Sequence, residues 1–209
     1  MKSLILSVSL LLASSAFAAA PQPVANKDYV EIANGHPLDP VNGAVVVEEC
    51  FNYICPSCNA FEPDFVSWTR KLPPYVKLQH VPASFLPDFV PYARAYYTAQ
   101  SFGIADKTHE AVYDAIHKSR ALPGEGDKPD EGGIAAFYGK YGVDAQRFLA
   151  AMRSFSVDAQ VRRANEYMRR SKIPETPSII INGRYLVRGA TYQDMLRNAT
   201  YLIEKEHAR

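Results

Sequence analysis

The sequence predicts an α/β protein in which a long helical block interrupts a small mixed sheet. Three observations carry this. Ala44-Val45-Val46-Val47-Glu48-Glu49-Cys50-Phe51 opens with the continuous β-branched run of a strand buried on both faces, and a helix start follows at Cys55-Pro56. Strand patterns return only at Ser178-Ile179-Ile180-Ile181 and Tyr185-Leu186-Val187, joined by Asn182-Gly183, the strongest short hairpin signal. Between Pro87 and Lys172 every periodic segment is helical. A sheet flanked by helices is complete without that block, so the expected division is a discontinuous domain over 27–86 and 173–209 with a helical domain inserted at 87–172.

In chain order, a basic Lys2, the apolar run Leu4 to Leu12 and small residues around Ala18 and Ala20 read as a secretory signal peptide over residues 1–20, cleaved after Ala18 or Ala20. The run is short for a bilayer span, which takes about 20 apolar residues. Tyr29 to Ile32 is a short strand and Asn34 to Pro37 a turn. Pro56 suits the first helical position. Pro63 is expected to kink the helix, which then stops at Leu72-Pro73-Pro74. Phe61, Phe65 and Trp68 recur at helical spacing as core residues. Val76 to Val81 alternates as a further strand. Helices are expected over 90–102, 107–119, 131–141, 144–154 and 157–171, and a last one from Thr191 to about Glu206.

Without Lys2 the chain carries 22 basic and 22 acidic residues, which gives no support for nucleic-acid binding. Export implies an oxidising compartment, where stapling cysteines usually form an even, widely spaced set. Here the three cysteines, Cys50, Cys55 and Cys58, fall within nine positions, which points to chemistry. Cys55-Pro56-Ser57-Cys58 at a helix start places the first thiol where unpaired N–H groups and the helix dipole favour an anion. That setting lowers a thiol pKa from about 8.5 to roughly 3.5–7.5. Cys58 falls on the same face one turn on, able to close and resolve a disulfide. Pro56 helps hold the sulfurs in place, and Ser57, uncharged, can offer a hydroxyl hydrogen bond. An inert staple closing so small a loop would add little stability. Structural zinc wants four ligands and the motif supplies two; His80, His109 and His117 have no ligand spacing relative to one another, so no metal is expected.

Glu49 to Cys58, followed by Phe61-Glu62, resembles the active-site strand and helix of the DsbA-type thiol:disulfide oxidoreductases, periplasmic proteins with a thioredoxin fold. Ile173-Pro174-Glu175-Thr176-Pro177 and the hairpin after it are similar to that family's cis-proline loop, and the likeness extends over essentially the whole mature chain. The resemblance implies a thioredoxin fold with an inserted helical subdomain, Cys55 as exposed nucleophile and Cys58 as resolving thiol. It further implies a cis Pro177, Thr176 presenting backbone groups to an extended substrate, and Glu49 as a buried proton relay for Cys58, with Glu48 competing for that role. Many members carry histidine where this chain has Ser57, which makes a milder oxidant the expectation here. Cys50 has no partner in the family pattern and reads as a small buried hydrophobe.

The expected function is donation of a disulfide to reduced exported proteins in the periplasm by a monomer needing no cofactor. A quinone-linked membrane oxidase of the DsbB type is the implied reoxidant. A reductase or isomerase running the same exchange, and a thiol-based metal chaperone, remain as alternatives.

Overall fold

The computed structural model describes residues 22–209, so the expected signal peptide over 1–20 lies outside the described residues. Five strands form one sheet: β1 (Tyr29–Glu31), β2 (Val45–Phe51), β3 (Val76–Pro82), β4 (Ser178–Ile181) and β5 (Tyr185–Val187), in the order β1-β5-β4-β2-β3. β2 pairs parallel to β3, and the other pairings are antiparallel. The parallel pair is joined by α1 (Pro56–Thr69). Between β3 and β4 lie α2 (Phe89–Ser101), α3 (Ala105–Tyr113), α4 (Glu131–Gly139), α5 (Ala145–Met152) and α6 (Phe155–Arg170), and α7 (Tyr192–His207) closes the chain. This is a thioredoxin fold with a helical insertion.

All seven residues of β2 are buried, as its β-branched run requires of a central strand. The pleat divides them. Val45 and Val47 pack with Phe61 and Phe65 of α1, Ile179 and Ile181 of β4, and Leu202 and Ile203 of α7. Glu48 and Cys50 point to the opposite face, where the inserted helices share one continuous core with the sheet. In α1 the buried set Cys58, Phe61, Glu62 and Phe65 repeats at helical spacing, each phenylalanine worth about 1.5–3 kcal/mol of burial.

Helix ends follow local chemistry. Asp130, Asp144, Ser154 and Thr191 each accept a backbone N–H three residues on and so start α4, α5, α6 and α7. The Ser154 cap begins α6 two residues before the expected start at 157. α1 runs through Pro63 as one helix and ends at Thr69, short of Leu72, because tightened bonds from Lys71 to Trp68 and from Leu72 to Thr69 close its last turn. The expected helix over 107–119 is two pieces, α3 and a π-helical turn at Asp114–Lys118. The Asn182-Gly183 hairpin has positive φ at both residues, 51° and 64°, as its tight turn requires.

Glu48 is fully buried, its Oε1 accepting from the Leu38 N–H and its Oε2 from the Tyr167 hydroxyl, both at 2.6 Å. Burial pushes its carboxyl up from 4.5 to about 7 despite those bonds. A pKa raised by folding means that the group's contribution to stability is complete below pH 4.5 and is lost as the pH rises through 7. That loss should approach about 3 kcal/mol. Urea unfolding at pH 5 and pH 8 should show it, and Glu48→Gln should flatten the difference. An equally steep pH dependence in the variant would count against this account.

Candidate active site

The site assembles where β2 ends and α1 begins. After Phe51 the chain turns through Asn52, whose Oδ1 accepts from the Ile54 N–H and whose Nδ2 donates to the carbonyls of Ala83 and Phe89. Asn52 therefore ties the active-site turn to the loop after β3 and to the first residue of α2. Sequence reading missed it, since a lone asparagine in a turn carries no distinguishing pattern. His117 adds a second tie, its Nε2 lying 2.7 Å from the Tyr53 carbonyl.

Cys55 caps α1, its sulfur accepting from the Cys58 N–H at 3.4 Å and its thiol donating to the Thr176 carbonyl at 3.4 Å. The Thr176–Pro177 peptide is cis. A loop 121 residues away in sequence thus meets the first thiol directly. All three cysteines are free thiols. Cys55 is less open than the expected exposed nucleophile, with 7% of its surface accessible, because the Thr176 carbonyl and the turn from Asn52 cover it. Pro56 and Ser57 are exposed beside it, and Cys58 is fully buried.

The two thiols are driven apart electrostatically. Hydrogen bonding from the Cys58 thiol, opposed by burial and reinforced by the Thr176 side chain and the N–H groups of Cys58 and Ser57, pulls Cys55 down from 9.0 to about 6. Ser57 acts here through its backbone N–H, where sequence reading expected its hydroxyl. Burial first, and then the neighbouring Cys55, push Cys58 far up. Cys50 is fully buried on the other face of β2, and burial followed by the charges of Glu48 and Glu49 pushes it up as well. It takes no part in the pair.

Glu49 is fully buried beside its parallel register partner His80, with Oε2 and Nδ1 2.7 Å apart. Burial alone would pull His80 down, but the bond and charge of Glu49 outweigh it and leave a net rise. Glu48 faces away from Glu49, so the two adjacent acids occupy separate environments. A cavity of about 480 Å³ flanks the dithiol, lined by Ser57, Glu175, Thr176, Pro177, Thr191 and Tyr192 among others. Tyr192 joins it to the motif by donating to the Ser57 carbonyl at 3.1 Å.

Thiolate absorbance of the reduced protein should titrate with a midpoint near pH 6, from Cys55 alone. A pKa depressed by folding contributes stability that is complete above pH 9.0 and is lost as the pH falls through 6. The disulfide form has no such thiolate. The stability of the reduced form relative to the oxidised form should therefore fall on acidification through pH 6, and a constant gap in unfolding midpoints from pH 5 to 8 would contradict the assignment.

A low-pKa thiol at a helix N-terminus, a shielded second thiol one turn on and a cis-proline loop against the first define a thiol:disulfide exchange site on a thioredoxin fold. Comparison with known proteins agrees. The model of the DSBA-like thioredoxin domain matches residues 46–200. The thiol:disulfide interchange protein DsbA of Pseudomonas aeruginosa is 34% identical over 213 residues, spanning 100% of this chain and 98% of its own. That of Burkholderia cepacia is 30% identical over 200 residues, spanning 94% and 91%. The crystal structure of the oxidoreductase DsbA from Xylella fastidiosa, 36% identical, superposes with a TM-score of 0.86 over 90% of this chain and 100% of that one. The chain belongs to the DSBA-like thioredoxin domain family and is a thiol:disulfide oxidoreductase.

Proposed function

We propose that the protein works as an oxidant in the periplasm, passing the Cys55–Cys58 disulfide to reduced exported proteins. The observation that carries this is the opposed tuning of the two thiols, Cys55 pulled down to about 6 and Cys58 buried and pushed up. Stabilising the Cys55 thiolate stabilises the reduced enzyme and so favours giving the disulfide away. A substrate thiolate attacks the Cys55 sulfur, the Cys55–Cys58 bond breaks, and Cys58 leaves and takes up a proton. A second substrate thiolate attacks the substrate sulfur of the mixed disulfide. Cys55 departs as a thiolate, leaving the substrate oxidised by two electrons.

In this reading Glu49, backed by His80, relays the proton to and from Cys58, while Pro56 and Ser57 set the poise of the pair. Thr176 and Pro177 dock an extended substrate segment in the adjoining cavity through backbone hydrogen bonds, which suits a broad substrate range. The dithiol is the whole redox centre, and a quinone-linked membrane oxidase of the DsbB type restores the disulfide of the monomeric enzyme. The signal-like residues 1–20 support export.

Equilibration with glutathione tests the direction. The wild type should be more oxidising than glutathione, and Ser57→His more oxidising still, with a lower Cys55 pKa, because an imidazolium beside the thiolate adds charge to the N–H donors already there. A wild-type pair that stays oxidised in a strongly reducing glutathione buffer would identify a reductase instead. A variant identical to wild type would refute the account of the dipeptide.

A further inference from the structure

Four side chains from four elements meet behind the exchange site at the β2–β3 edge. Glu49 of β2 and His80 of β3 are in contact at 2.7 Å. His109 of α3 lies against His80, with ring centroids 4.5 Å apart and planes inclined by 31°. Its Nε2 is 3.6 Å from Oε1 of Glu62 on α1. One donor atom from each of Glu49, His80 and His109 lies within 4.8 Å of the other two. Three atoms of this group, Glu49 Oε1, Glu62 Oε2 and His109 Nε2, are buried and have no hydrogen-bond partner among the described residues. The side chains that bear them are only 0%, 9% and 10% exposed. Buried polar atoms are almost always paired, so three orphans among these four neighbouring side chains mark a place made for something polar.

We propose that this cluster binds a single divalent transition-metal ion, best zinc(II), through Glu49, His80 and His109, with Glu62 as the fourth ligand, an occupancy that takes Glu49 and His80 out of the proton relay while the ion is bound. Two carboxylates and two neutral imidazoles offset the charge of such an ion, and a mixed nitrogen and oxygen set suits zinc where calcium and magnesium call for oxygen alone. Ligand atoms around tetrahedral zinc lie roughly 3.3 Å apart given its bond lengths of about 2.0–2.1 Å. The 2.7 to 4.8 Å spacings among Glu49, His80 and His109 bracket that value, so adjustment of about an ångström brings these three onto one ion, and Glu62, 3.6 Å from His109, swings in to complete the set. Behind the ligands, the Tyr53 hydroxyl is 2.9 Å from His109 Nδ1 and holds the ring with Nε2 facing the cluster, the outer contact typical of histidine ligands. Entry is provided by a cavity of about 390 Å³ lined by Glu62, Arg70, His80, Asp106, His109 and Glu110, where three carboxylates against one guanidinium favour a cation.

The test uses untagged protein in its disulfide form, so that Cys55 and Cys58 cannot ligate. Cobalt(II), a spectroscopic stand-in for zinc, should bind one equivalent with visible bands of a low-coordinate nitrogen and oxygen site and no sulfur charge-transfer band. Zinc(II) should displace it and raise the thermal midpoint. His109→Gln and His80→Asn should each weaken binding by at least about 100-fold, the upper end of what losing even an outer partner of a ligand costs, while substitution of the exposed His36 or His207 by glutamine should leave it unchanged. Should either core variant fold poorly, long-range proton–nitrogen spectra of the wild type serve in its place. Zinc should then move the imidazole nitrogens of His80 and His109 and leave those of His36 and His207 in place. No binding at micromolar zinc, a sulfur charge-transfer band, undiminished binding by a folded His109→Gln protein, or zinc-induced shifts confined to the exposed histidines would each overturn the proposal.

Discussion

Replacing Cys58 with serine is expected to abolish catalytic oxidation and leave a protein that accumulates as a mixed disulfide through Cys55. The reason lies in the asymmetry of the pair. Cys55 keeps its helix N-terminus, with N–H groups from Ser57 and from residue 58 still facing its sulfur, so it remains a nucleophile near neutral pH. It loses the hydrogen bond from the Cys58 thiol, the largest contribution to its low pKa, which a serine hydroxyl at that position replaces in part. What cannot be replaced is the intramolecular sulfur that resolves the adduct. Cys50 cannot substitute, being fully buried on the far face of β2 with its thiol pushed up by burial. Incubation with oxidised glutathione should therefore add the mass of one glutathione, stable until an external thiol is supplied. The native protein should be alkylated at Cys55 alone. Release without external thiol, or a Cys50–Cys55 disulfide in the variant, would refute this division of labour.

The second large effect is on stability. Phe51→Ala should cost about 3–5 kcal/mol, the range for removing a fully buried phenylalanine. Phe51 is fully buried at the end of β2, and its ring meets those of Tyr53, His80, Tyr96 and His109 with centroids 5.1–5.6 Å apart in edge-on or steeply inclined arrangements. Those partners come from the active-site turn, β3, α2 and α3, so the cavity would open where sheet and inserted helices join. The cost should fall toward the lower end if water enters beside His80 and His109, whose polar atoms could bind it. Urea unfolding of the oxidised form is the measurement. A loss below about 1 kcal/mol with an unchanged denaturant slope would mean that the helices hold to the sheet without this ring.

Much of the fold is legible because its signals are local. The β-branched run of β2, the proline at the first helical position of α1 and the Asn182-Gly183 turn each determine backbone geometry within a few residues. Errors sit at boundaries, where the competing signals are equally local. Ser154 caps α6 earlier than its apolar period suggests, and the widening of the helix after Tyr113 into a π-helical turn leaves no mark in composition.

The chemistry of the thiols was readable for the same reason, since the two cysteines and the helix end that tunes one of them lie within a single turn. Glu49 was singled out by resemblance, but its separation from Glu48 follows from the pleat, which sends neighbouring side chains to opposite faces of β2. His80 and His109 could not be found from spacing. They stand 31 and 60 residues after Glu49, and β3 and α3 bring them together only when the sheet pairs and the helices dock. The sequence by itself determined the reagent, Cys55 and Cys58 at a helix start, through bonds spanning three residues. Only the tertiary structure decided how covered Cys55 is, which loop faces it and which buried groups stand behind it, because those contacts link residues 31 to 121 positions apart that chain-local preference does not constrain.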